Sequence, residues 1–243
     1  MEELKNLKKT IIESFREAME FKAFTDLSYL FATNFVQIPG SKIRIVLGHS
    51  QYGGAVGLSD QEVTSADLPN HFSTAKNNYF FSLIHQQQVS LFESLFFDVI
   101  RILLSDRPER LSKKKQIDYE SIFSSDTKEE IIWKLIDREL NEIKYKNVVE
   151  WFDYLNKMVT LPEIDSQDIE KISEAKAARD ILVHNSGIIN QIYINKSGGS
   201  ARFTIGQKID VSGDYTRDIW QLFVELLVTI VDSIIRKCEQ EST

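Results

Sequence analysis

Residues 177–194, AARDILVHNSGIINQIYI, set an arginine and a histidine five positions apart, Arg179 and His184. A carboxylate, Asp180, directly follows the first, and an amide, Asn185, directly follows the second. Arginine offers a planar fork of donors matched to phosphate and keeps its charge at every relevant pH. Histidine titrates near neutrality and can take or give a proton. Together they supply the minimum for cleaving RNA without a metal: an acid or base for the 2′-hydroxyl and the leaving oxygen, and a cation for the charge that builds on phosphorus. Asp180 lies four residues before His184, within reach on one helix face, where it would orient the imidazole. Arg179 and His184 themselves fall about 140° apart on a straight helix. Sharing one site therefore requires the helix to distort near Asn185 or the long arginine to reach around it. Asn185 is suited either to bonding a phosphate or to capping the helix. A plainer reading exists beside this one: a helix-terminal histidine favoured by the helix dipole, and an arginine paired with Glu174 or Asp180.

The string RDILVHN at 179–185, late in a helical chain and at the end of one helix before another, resembles the Arg-x4-His signature of the HEPN superfamily, in its toxin- and defence-associated branch. The resemblance covers roughly residues 78–240. It implies an all-α, HEPN-like bundle acting as a homodimer, whose two motif faces form one composite site with two histidines and two arginines. It further implies an RNA substrate, a metal-independent endonuclease with Arg179 and His184 as catalytic residues, products ending in a 2′,3′-cyclic phosphate and a 5′-hydroxyl, no cofactor, and an antitoxin or companion defence protein as partner. The alternative within the same family is a catalytically silent dimerisation module that binds a partner protein or a nucleotide. Some members carry, two positions after the histidine, a tyrosine that the antitoxin modifies; here that position is Ser186, so that mode of control is not expected.

The remaining chemistry-bearing residues form no second motif. His49, His71 and His85 fit no metal-ligand spacing, and His85, inside an apolar stretch, reads as a core or interface residue. The glycine-rich GHSQYGGAVG lacks the Gly-Lys-Ser/Thr ending of a phosphate-binding loop. Cys238 has no base beside it in sequence. Local basic clusters stand at Lys42 with Arg44, at Lys113, Lys114 and Lys115, and at Lys144 with Lys146, each compatible with a solvated face or with contact to RNA.

These residues need a frame, and the hydrophobic spacing predicts one made of helices. Residues 2–34 read as one or two helices and 78–105 as a long helix apolar on several faces, hence buried on several sides. Asp126 with Glu129 resembles a capping box opening the next helix, and another follows over roughly 147–159. Asp165 is the expected N-cap of a helix running to His184, stopped by Asn185, Ser186 and Gly187. Residues 188–194 form a short apolar stretch, 201–211 alternate like a hairpin or extended loop, and a last helix carries Ile219, Phe223, Leu226 and Ile230. Residues 1–75 read as an N-terminal helical extension with a Gly-rich, partly β insertion, and 76–243 as the bundle.

Composition bounds the function. A net charge of −7 over 243 residues argues against a protein that coats nucleic acid through a broad basic surface, while leaving room for a small basic site. One cysteine forms no intrachain disulfide, and the opening MEELKNLKKT lacks a secretory core, so a cytoplasmic location is expected. The two most apolar stretches, 79–104 and 219–235, contain Glu93, Asp98, Glu225 and Asp232, and read as core helices without membrane contact.

Overall fold

The computed structural model describes residues 1–35, 42–45, 61–111, 123, 125 and 127–241, and helices carry almost all of its regular structure, so the fold is all-α. Helix α1 spans Glu2–Phe35 without a break. Its Leu4, Leu7, Ile11 and Phe15 recur at three- and four-residue intervals and are buried. A two-stranded antiparallel sheet follows, β1 (Lys42–Ile45) with β2 (Gln61–Thr64), in which Lys42 faces Thr64. His49, the glycine-rich loop around it, and Lys113, Lys114 and Lys115 lie outside the described residues.

Helix α2 (Leu68–Ala75) runs through a single π turn, Lys76–Phe80, into α3 (Phe81–Asp106). Helix α4 (Lys128–Lys144) has Thr127 as its N-cap, whose side chain accepts from the Glu130 N–H at 3.2 Å; Asp126, the expected capping residue, is outside the described residues. Helix α5 (Val148–Met158) opens on a complete capping box, with the Glu150 N–H donating to Asn147 at 2.9 Å and the Asn147 N–H donating to Glu150 at 3.2 Å. Helix α6 (Ser166–His184) begins on Asp165, which accepts from the Gln167 N–H at 2.9 Å. The apolar stretch after it includes a short helix, α7 (Gln191–Ser197), capped by Asn190. Helix α8 (Gly213–Glu241) closes the fold.

Residues 201–211 do not fold back on themselves as a hairpin. Part of the segment pairs with the chain just after α6: the Ile189 N–H donates to the Gln207 carbonyl at 2.8 Å, and the Ile209 N–H to the Gly187 carbonyl at 2.7 Å. The reason is the positive-φ turn at Ser186 and Gly187, which presents backbone groups that the helix can no longer satisfy.

The apolar faces of α3 explain the arrangement, because it packs against α1, α4, α6 and α8 at once. Phe92 stacks on Phe223 of α8 with ring centres 4.3 Å apart, and Phe97 meets Trp151 of α5 edge-on at 4.9 Å. The Trp151 indole N–H donates to the Ile143 carbonyl at 2.8 Å and ties α5 to the end of α4. The buried residues of α1 belong to this same core, and the Trp220 indole of α8 donates to the Phe15 carbonyl at 3.1 Å. The break in sequence texture near residue 75 therefore does not separate two cores. A smaller apolar cluster of Ala177, Ala178, Ile181, Ile189, Tyr193 and Ile209 holds the end of α6 against α7 and the 201–211 segment. Among the described residues no helix is long and apolar enough to cross a membrane.

Candidate active site at the end of helix α6

Helix α6 stays α-helical to His184, so the five-residue spacing keeps Arg179 and His184 about 140° apart, on different faces. The expected distortion within reach of the pair is absent; the chain leaves the helix only at Asn185. Arg179 turns toward α3, where its guanidinium pairs with the Glu93 carboxylate and lies 3.2 Å from Asp180. Its side chain is only 18 % exposed, and its Nε has no acceptor among the described residues. His184 faces the other way, exposed, with no hydrogen bond or ion pair among the described residues.

Asp180 does not orient His184. It accepts from the Lys196 ammonium at 3.0 Å, with Arg179 at 3.2 Å and Lys176 at 3.9 Å. The short helix α7 brings Lys196 across to Asp180, so the carboxylate is taken by an ammonium from a distant element and not by the imidazole one turn away. Asn185 is the C-cap residue of α6, and its side-chain amide donates to the Ile188 carbonyl, which commits it to the turn. Below that turn the Asn185 and Gly187 N–H groups both donate to the Ile181 carbonyl, at 3.0 and 3.1 Å. Gly187 has a φ of +78°, open to glycine and strained for a side chain. His184 thus sits at a helix end fixed from both sides.

Beside it lies a cleft of about 480 Å³ between the α4–α5 turn and the outer face of α6, with Lys144, Lys146, Lys176 and Lys196 in its wall and Asp180 as the single carboxylate. Lys146 has no ion-pair partner among the described residues, and the Lys144 ammonium lies 5.2 Å over the Phe97 ring and attracts the Asp98 carboxylate. His184 is one turn beyond Asp180, about 40° around and about 6 Å along the helix, so it extends the same face. A second cleft of about 280 Å³ shares Lys144 and Lys176 and reaches Glu93, whose carboxylate holds Lys176 at 2.7 Å. In a chain of net charge −7, four ammonium groups around one cleft make a local site for an anion.

The inner face of α6 carries a different cluster. Glu174 is buried and accepts from the hydroxyls of Tyr193 and Tyr215, each at 2.6 Å, and from Arg202 Nε at 3.0 Å. Arg202 also lies 3.5 Å from the centre of the Tyr215 ring. Burial and the Glu174 charge push the Tyr193 hydroxyl up to about 12, so it remains a donor. Next to this cluster His85 of α3 is fully buried, with Nε2 2.9 Å from the Ala175 carbonyl. That acceptor requires the proton on Nε2, leaving Nδ1 bare and without a partner among the described residues. Burial pushes this imidazole down to about 4, against the raising effect of its hydrogen bond, so it is neutral at pH 7.

The structure therefore keeps Arg179 and Asp180 in contact, turns Arg179 away from His184, leaves Asp180 on the face of His184 but bonded to other groups, and supplies lysines that the arginine–histidine pattern does not contain. Lys144 and Lys146 stand out in the sequence as a basic pair; Lys176 and Lys196 carry no such signal, because only the packing of α6 and α7 brings them to the cleft. Among the described residues no group of three or more His, Cys, Asp and Glu side chains is placed to hold a metal ion. Compared with family models, with curated proteins and with solved structures, the chain gives no match, so its own geometry carries the functional reading.

Proposed function

We propose that the protein is an RNA endonuclease of the HEPN type, in which His184 moves the protons and the cationic groups of α6 and its neighbours hold the phosphate. The single observation that carries this reading is the placement of His184: exposed and unpaired among the described residues, at a fixed helix end, one turn from a lysine-walled cleft.

The chemistry is a transfer within the RNA strand. An imidazole takes the proton of the 2′-hydroxyl as the 2′-oxygen bonds to phosphorus, and a protonated imidazole gives a proton to the 5′-oxygen as that P–O bond breaks. The products are a 2′,3′-cyclic phosphate and a 5′-hydroxyl. One His184 does not fill both roles in the same step, so the reading calls for a homodimer in which two copies divide them. A dimer also meets the divergence of Arg179 and His184 within one chain. Arg179 reaches phosphate by exchanging a carboxylate partner for it, and then balances the charge on phosphorus. Such an enzyme acts in toxin–antitoxin or anti-phage defence, with an antitoxin or companion protein to restrain it.

One observation favours a second reading. Arg179 already has two carboxylates, Glu93 and Asp180, and an arginine so satisfied suits a catalytically silent dimerisation module for a partner protein or nucleotide. Cleavage of total cellular RNA in EDTA separates the two. For the nuclease, wild type leaves cyclic-phosphate ends and His184→Ala loses about 10²–10⁴ in rate. Dimeric wild-type protein that leaves RNA intact, or cleavage that His184→Ala shares in full, transfers the assignment to the silent module.

A further inference from the structure

The turn between α4 and α5 places an aromatic ring where the lysine cleft opens. Tyr145 is 94 % exposed and stands between Lys144 and Lys146. The turn itself is held: the Lys146 N–H donates to the Ile143 carbonyl at 2.9 Å, and the buried Trp151 indole donates to the same oxygen at 2.8 Å. The backbone that carries the ring is thus fixed, while the ring itself projects into solvent with its faces open.

We propose that Tyr145 stacks on an unpaired base of single-stranded RNA while Lys144 and Lys146 follow the neighbouring phosphates. The inference deepens the reading of this cleft as an RNA site and rests on it. The ring decides between ligands of the same charge. A duplex hides its base faces inside the stack and offers a phosphate surface alone, and an acidic peptide would engage the lysines and leave the ring uncovered. A strand with free bases uses both, since aromatic stacking accepts any base and cations track the backbone. The pairing state of the lysines fits this division. Lys176 and Lys196 are held by Glu93 and Asp180, whereas Lys146 has no ion-pair partner among the described residues and Lys144 is engaged only by the Phe97 ring, 5.2 Å away, and by the charge of Asp98.

The test is binding of a labelled single-stranded oligonucleotide, read by fluorescence anisotropy on His184→Ala protein so that the strand stays intact. Tyr145→Ala should weaken binding by about 5- to 150-fold, Tyr145→Phe should keep it, and the matching duplex should bind far more weakly. Lys146→Gln should lower affinity and reduce the salt slope by about 0.7. The ring is solvent-exposed, and circular dichroism checks that the variants fold. Unchanged affinity in Tyr145→Ala, equal affinity for the duplex, equal binding of an oligoglutamate peptide, or no RNA binding at all overturns the inference. The two readings fail separately. RNA that stays whole but binds through Tyr145 removes the nuclease and leaves the stacking site. Cleavage by wild type that Tyr145→Ala matches in rate and affinity does the reverse.

Discussion

Glu174 and His184 ride on the same helix in opposite circumstances. Glu174 points inward and has every partner a carboxylate needs, two hydroxyls and a guanidinium. His184 points outward and has none among the described residues. The first arrangement fixes α6 against α7, α8 and the 201–211 segment. The second ties α6 to nothing among the described residues. The contrast separates a side chain that builds the fold from one that the fold leaves without a partner among the described residues, and between the two stands Arg179, held by Glu93 and Asp180 with its buried Nε lacking an acceptor.

The contrast breaks most visibly on the inner side. Glu174→Ala removes the shared acceptor from two hydroxyls and strands Arg202, and should cost about 3–5 kcal/mol in urea unfolding. A loss under about 1 kcal/mol would mean that the network reorganises around the gap and that α6 is held by apolar packing alone.

A smaller effect belongs to His85. Unfolded, its imidazole protonates near the ordinary value of 6.5, while the buried ring stays neutral down to about 4. Between those values the unfolded chain binds the extra proton. Stability should therefore be complete above about pH 6.5 and decline as pH falls toward 4, by on the order of 3 kcal/mol. Comparing unfolding of wild type and His85→Asn across that range isolates the contribution, and parallel profiles for the two would exclude it.

The smallest effect is the sharpest test of the outer side. His184→Ala should shift stability by no more than about 0.5 kcal/mol, because its side chain makes no hydrogen bond or ion pair among the described residues. A large destabilisation, measured by the same urea titration, would make His184 a structural residue and erase the difference from Glu174.

Much of the frame was readable from residue types alone. Helix α6 runs between the limits set by Asp165 and by Asn185–Gly187, because a capping carboxylate and a positive-φ glycine act locally. The apolar faces of α3 likewise announced its place among several neighbours. Local reasoning failed where the partner comes from a distant element. Asp180 seemed destined for His184 at a spacing of four, until α7 delivered Lys196. Glu93 looked like a mere interruption in an apolar stretch, yet it holds both Arg179 and Lys176. The cleft was visible only by half, since Lys144 and Lys146 stand two positions apart in sequence and the other two lysines come from distant positions.

The joining of α1 to α8 also sets an order of events during synthesis. Phe15 and Phe223 pack edge-on with ring centres 6.5 Å apart, and Lys8 holds Asp232 at 2.6 Å, across 224 positions of chain. Helix α1 leaves the ribosome long before α8, so the part of its apolar stripe that α3 does not cover must wait until α8 emerges. The final core, and with it the settled position of α6, is then completed only once α8 has emerged. A ribosome-bound chain lacking α8 would have His184 in its sequence without the finished scaffold that presents it.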